Sequence, residues 1–229
     1  MSRSARRLAL VLAGVVVPSV APRGQTVSGR AVIASPTSSA RFAGVTERVD
    51  GLWAGLAFEV RAGRLTLSAS GMRGRMTASE PGSAPKRDVG EVSLCGRYDV
   101  RPWFSVNLRY AVRAFSSAVG YQRWDIVGVG ATASRDLGTP AVRAFVGLAY
   151  LPVVKVSGQP RVTFALGSDV GISVAPNRSP ITFELRYPIE RFRFPAAVGR
   201  SEQFEELTLS VGVRARRLGG RWTLAGTRN

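Results

Sequence analysis

The sequence predicts an all-β fold: a closed, antiparallel up-and-down transmembrane β-barrel of eight to ten strands. Three observations carry that expectation. Long segments alternate apolar and polar residues at every second position, the period of a strand with two unlike faces. Short turns alternate along the chain with longer polar loops. Beyond the first residues, no apolar run approaches the roughly 20 residues that a membrane-crossing helix needs.

The clearest segment is Trp103–Phe115. Phe104, Val106, Leu108, Tyr110, Val112 and Ala114 fall on one face, with Ser105, Asn107, Arg109, Ala111 and Arg113 on the other. A helical stripe at i, i+3, i+4 would set Asn107 and Ala111 beside Phe104 and break the apolar face. The segment is also longer than an ordinary strand of about 5–6 residues, and a tilted strand crossing a bilayer needs about 9–11.

In chain order, residues 1–21 read as a secretory signal. Arg3, Arg6 and Arg7 precede the ten-residue apolar run Leu8–Val17, and small residues follow; this is the layout of an export signal, and the run is too short to span a bilayer as a helix. Residues 22–40, rich in Ser, Pro, Gly and Thr, predict a flexible lead-in. The barrel is expected over 41–217, beginning with a weak strand at Arg41–Val49 and a tight turn at Asp50-Gly51. Leu52–Arg61, Arg64–Thr77 and Asp88–Val100 alternate in the same way, followed by the central segment, then Arg123–Asp136, Ala141–Tyr150, Arg161–Ala175, Pro180–Phe194 and Phe204–Arg217. Ala62-Gly63, Arg101-Pro102, Leu137–Pro140 and Pro176–Ser179 are short turns, whereas Ala78–Arg87, Ser116–Gln122 and Pro195–Gln203 are longer loops. Counting Arg41–Val49 predicts ten strands, the preferred number; omitting it and Leu52–Arg61 predicts eight. Residues 218–229 form a C-terminal tail.

The chain carries 32 Lys+Arg against 15 Asp+Glu, a formal net charge of +17. Lys86 and Lys155 are the only lysines. Arginine recurs inside the alternating strands and is not gathered on one tail, so the charge points to a lumen and rim, and nucleic acid is not an expected partner. Histidine is absent, which excludes His-based triads and imidazole metal ligands. No enzyme activity and no cofactor are expected. The single cysteine, Cys95, cannot form an intrachain disulfide and lies on a polar face as a small filler.

With this signal segment, these two-faced strands and this turn–loop alternation, the chain resembles small bacterial outer-membrane β-barrel proteins of the porin-like or surface-antigen kind. The resemblance covers residues 41–217. It departs at the end, Thr227-Arg228-Asn229, where the nearest aromatic is Trp222. The resemblance implies an outer-membrane location, membrane lipid as surroundings, lipopolysaccharide phosphates as partners at the rim, and a monomer. Phe104, Val106, Leu108, Tyr110, Val162, Phe164, Leu166, Val170, Ile172, Leu207, Leu209 and Val211 are expected to face lipid. Glu91, Arg97, Asp99, Arg109, Arg113, Arg143, Arg161, Asp169, Glu184, Arg186 and Arg214 are expected to form a charge network in the lumen, where unpaired charge is costly. Trp103, Tyr110, Tyr121, Trp124, Tyr150 and Tyr187 are expected in interfacial girdles. The leading expectation is a structural or surface-interaction barrel whose arginine-rich lumen is filled by side chains, since about eight strands leave an interior just wide enough for them. The alternatives are a small passive pore with anion preference and a soluble, secreted lipocalin-like barrel that binds an apolar ligand.

Overall fold

The computed structural model describes residues 25–78, 86–117, 120–176, 179–218 and 221–224. The expected signal segment lies outside them. Ten strands follow one another as neighbours: β1 (Thr26–Phe42), β2 (Val45–Ala62), β3 (Leu65–Ala78), β4 (Arg87–Arg101), β5 (Phe104–Ser117), β6 (Gly120–Leu137), β7 (Thr139–Val156), β8 (Phe164–Val174), β9 (Ile181–Arg193) and β10 (Arg200–Leu218). Every pair is antiparallel, and β1 pairs with β10 from Thr26↔Arg216 to Phe42↔Arg200, which closes the barrel. A short β11 (Arg221–Leu224) folds back on the end of β10.

The first strand differs from the expectation. Residues 26–42 are not a lead-in but the closing strand, paired along their length with β10 and over most of it with β2. Closure decides this: an unpaired edge would leave a row of backbone groups exposed to hydrocarbon, so even a Ser-rich segment is drawn into the ladder. Pro36 is accommodated where the β1–β2 ladder skips from Ala34↔Trp53 to Thr37↔Asp50, because proline has no N–H to donate. The turn between β1 and β2 is Ala43-Gly44, with φ of 49° and 83°, the two positive values that a tight hairpin turn of this hand requires. Asp50-Gly51 is not a turn: it lies inside β2, where Asp50 accepts a 2.6 Å hydrogen bond from Thr37. The strands expected at Arg41–Val49 and Leu52–Arg61 are therefore not a hairpin pair but merge into one strand from Val45, and the count of ten holds because β1 is gained where this pair becomes one.

Around the barrel, the outward side chains toward the short-turn end are apolar. Leu56, Phe58, Leu67, Leu94, Leu108, Val129, Leu148, Val170, Leu185 and Leu209 are all exposed there. Toward the loop end the outward positions become polar: Arg48, Asp50, Arg73, Arg75, Asp88, Arg123, Lys155, Arg191 and Arg193. The inner face changes in the opposite sense. Beside the polar outer wall it holds a buried cluster that includes Val49, Trp53, Met76, Val89, Phe115, Trp124, Ile126, Phe192 and Phe204. Strands such as β2, β3, β6 and β9 are therefore membrane-like along one part and follow the rule of a soluble barrel, apolar in and polar out, along the other.

β9 displays the switch directly. Ile181, Phe183 and Leu185 face out, while farther along Glu190, Phe192 and Phe194 are buried and Arg191 and Arg193 are exposed. Gly74 serves the same packing. A Cβ there would lie 2.5 Å from Trp53 Cα and against its Cβ, so glycine lets β2 at Trp53 approach β3 closely.

Candidate functional site

The candidate site is the lumen. Its loop-end half is filled. Trp53 packs edge-on to Phe204 with centroids 5.7 Å apart, and Trp124 packs edge-on to Phe192 at 4.9 Å and Phe194 at 6.3 Å. Such aromatic pairs add to the area they bury. Trp53, Met76 and Ile126 are fully buried. Val162 belongs to this cluster and is not an outward residue, which corrects the expectation. It precedes the first residue of β8, so strand parity does not govern it, and the chain turns it in over the barrel end. Trp124 is likewise inside and not in an outer girdle, whereas Trp103, Tyr110, Tyr121 and Tyr150 are exposed.

Beneath the aromatic cluster lies a four-residue charge group. Arg109 donates to Glu91 at 2.7 Å and to Glu190 at 2.6 Å. Arg113 donates from Nε to Glu91 at 2.7 Å and from Nη2 to Glu190 at 2.9 Å. The Arg113 guanidinium also lies 3.6 Å from the centroid of the Phe204 ring, a cation–π contact. Glu91 and the arginines are on neighbouring β4 and β5, but Glu190 and Phe204 come from β9 and β10, across the lumen. The group is thus a strut through the barrel. Arg113 and Glu190 are 3% and 4% exposed, so each charge depends on its partners.

A charge-lined cavity of about 900 Å³ opens around this strut toward the short-turn side, bounded above by Trp53 and Phe204. Arg30 bridges Glu59 and Glu184, both at 2.9 Å. Arg186 pairs with Asp169 at 2.5 Å, and Arg61 and Arg97 share Asp99 at 2.7 and 3.5 Å. Arg143 pairs with Asp136 at 2.7 Å. The expected neighbours Glu184 and Arg186 therefore have different partners. Arg161 is exposed ahead of β8 and outside the lumen, a correction to the network. Arg214 and Cys95 line the cavity.

Glu190, Arg30 and Glu59 were not among the expected lumen charges. Arg30 lies in the segment read as a lead-in. Glu190 was accessible from its parity: carrying the inward register of Glu184 and Arg186 past Pro188 reaches it. Among the described residues no group of three or more His, Cys, Asp or Glu is arranged to hold a metal.

Of the residues expected to face lipid, Val106, Leu108, Tyr110, Phe164, Leu166, Val170, Ile172, Leu207, Leu209 and Val211 are exposed on the outer face, and Phe104 is half-buried there. A closed ten-stranded antiparallel barrel with an apolar outer belt and a charged interior defines the outer-membrane β-barrel fold. Solved structures with similar folds include the translocator domain of the autotransporter NalP from Neisseria meningitidis, at 15% identity and a TM-score of 0.50, covering 92% of this chain and 94% of that one. The outer-membrane protease OmpT from Escherichia coli (11% identity, TM-score 0.46, 85% and 97% covered) and an outer-membrane channel from Pseudomonas putida (15%, 0.47, 84% and 96%) are also similar. No known protein family and no curated protein matches the sequence.

Proposed function

We propose that this chain is a non-enzymatic, monomeric outer-membrane barrel with a sealed lumen, serving a structural or surface-interaction role. The carrying observation is the aromatic and aliphatic cluster around Trp53, Trp124, Phe192 and Phe204, which lies across the barrel above the Arg109–Glu91–Arg113–Glu190 strut. The anion-preferring pore would need a path through that cluster. The lipocalin-like alternative would need the apolar face inward throughout, and the belt of Leu56, Leu94, Leu148 and Leu209 points the other way. Short turns face the periplasm in this reading and the longer loops face out. Refolded protein in a planar bilayer should show no steady single-channel openings under applied voltage; regular ohmic steps would overturn the sealed-lumen reading.

The same reading gives the polar outer wall a partner. Arg41, Arg48, Arg73, Arg75, Arg191 and Arg193 sit on the outer face toward the loop end, beyond the apolar belt, at the height where lipopolysaccharide phosphates would lie. Arginine forks suit phosphate recognition. Bis-phosphorylated lipid A should raise the barrel's unfolding temperature by several degrees relative to its dephosphorylated form. Equal temperatures with the two lipids would remove this partner.

A further inference from the structure

The short-turn mouth of the lumen carries a charge imbalance that the sealed-barrel reading does not use. Ten arginines line the cavity against seven carboxylates, an excess of three positive charges. The imbalance is sharpest where the turns after β2 and β4 meet, joined by the hydrogen bond from Asp99 N to Arg64 O at 2.9 Å. Arg61 and Arg97 both pair with Asp99. Arg64, on the turn after β2, and Arg101, the last residue of β4, are exposed and also line the cavity. Asp99 thus carries the ion pairs of both Arg61 and Arg97, while Arg64 and Arg101 make no ion pair among the described residues. Moreover, Arg97 Nε is buried without a hydrogen-bond partner among the described residues, its contact with Asp99 being an ion pair at 3.5 Å. A buried donor without an acceptor is costly, and here it belongs to a residue that lines the cavity.

We propose that this cluster, Arg61, Arg64, Arg97 and Arg101, is a binding site for a small multivalent oxyanion entering from the short-turn side. The chemistry selects the class. Planar guanidinium forks pair bidentately with phosphate or carboxylate oxygens, and a cavity of about 900 Å³ admits a small molecule and not a folded domain. An excess of like charge in a low-dielectric cleft concentrates counter-ions at its mouth. The inference stands apart from sealing, because a conducting lumen would leave the mouth cluster in place.

Cys95 supplies the readout. It is the only cysteine, faces the same cavity, and lies two residues before Arg97 on the same face of β4. The intact refolded protein is labelled with a negatively charged methanethiosulfonate reagent and with its positively charged counterpart, each rate normalised to a free thiol. The anionic reagent should react about tenfold faster or more, as expected for a charged cleft. Pyrophosphate should slow labelling severalfold relative to sodium chloride of equal ionic strength, and citrate in place of pyrophosphate tests whether carboxylate is accepted too. The double variant Arg64→Gln/Arg101→Gln, altered only at exposed positions at the barrel end, should lose most of the reagent preference and of the protection. Equal normalised rates, absence of labelling, or a pyrophosphate effect no larger than that of salt would each overturn the site.

Discussion

Glu190→Gln is expected to lower the stability of the folded barrel by about 3–5 kcal/mol, the range for breaking a buried ion pair. Glu190 is 4% exposed and is the member of the strut supplied from across the lumen, so its loss leaves Glu91 as the ion-pair partner of Arg109 and Arg113 among the described residues. Denaturant unfolding from lipid vesicles, followed by the fluorescence of Trp53 and Trp124 in the adjacent cluster, measures the loss. Adding Arg109→Gln removes the surplus charge and should recover part of it, since residues sharing a network do not act additively. Glu184→Gln is a useful contrast. Its carboxylate side chain is 25% exposed and bonds Arg30, so solvent replaces part of what is lost. An unchanged midpoint for Glu190→Gln, or a double variant that adds two full penalties, would show that the strut does not hold the barrel.

The second large effect concerns the outer face. Leu209 is 50% exposed among Leu207, Val211 and Val213 on β10. An arginine near the bilayer midplane on the lipid side of a barrel costs about 2–4 kcal/mol. Leu209→Arg should therefore depress folding into bilayers, read as the heat-modifiable gel shift that separates folded from unfolded barrel. Ser93→Arg places the same side chain inward, in the polar cavity where Ser93 now meets Ser70 at 2.8 Å, and should cost much less. A reversed order would mean that the apolar belt does not meet lipid.

The two results bear on how far the fold can be read from the chain. The alternation in Trp103–Phe115 and its relatives identified nine of the strand positions, because which face a side chain takes is a local property of extended backbone. It did not identify β1. Val27–Ala40 is too rich in Ser, Gly and Pro to show a clear pattern, and it is a strand because β2 and β10 flank it. The polarity switch was legible in part. In β9, apolar residues move from Ile181, Phe183 and Leu185 to Phe192 and Phe194, a change of parity that marks where the outer wall becomes polar. Extending the parity of β8 back past its first residue turns Val162 outward, whereas the chain there is no longer strand. Trp124 is expected in a girdle from its place near a strand end, although Val127 and Val129 set the outward parity of β6 at odd positions and leave Trp124 inside.

The sequence by itself determined an all-β barrel of long two-faced strands and a polar side that must be interior wherever the other meets lipid. These follow from residue spacing, which needs no partner to be read. The turn–loop alternation was legible only in part, since the expected loop Ser116–Gln122 is mostly strand and a tight turn at Ala43-Gly44 shares the loop end. The tertiary structure alone decided which segment closes the cylinder and which charges meet. Glu190 reaches Arg109 and Arg113 across sequence separations of 81 and 77 residues, and nothing local to β5 or β9 records that they face each other. Curvature brings them together: only a ring of ten strands sets β9 and β10 opposite β5, and only there do an arginine strut and an aromatic cluster fill the same cross-section.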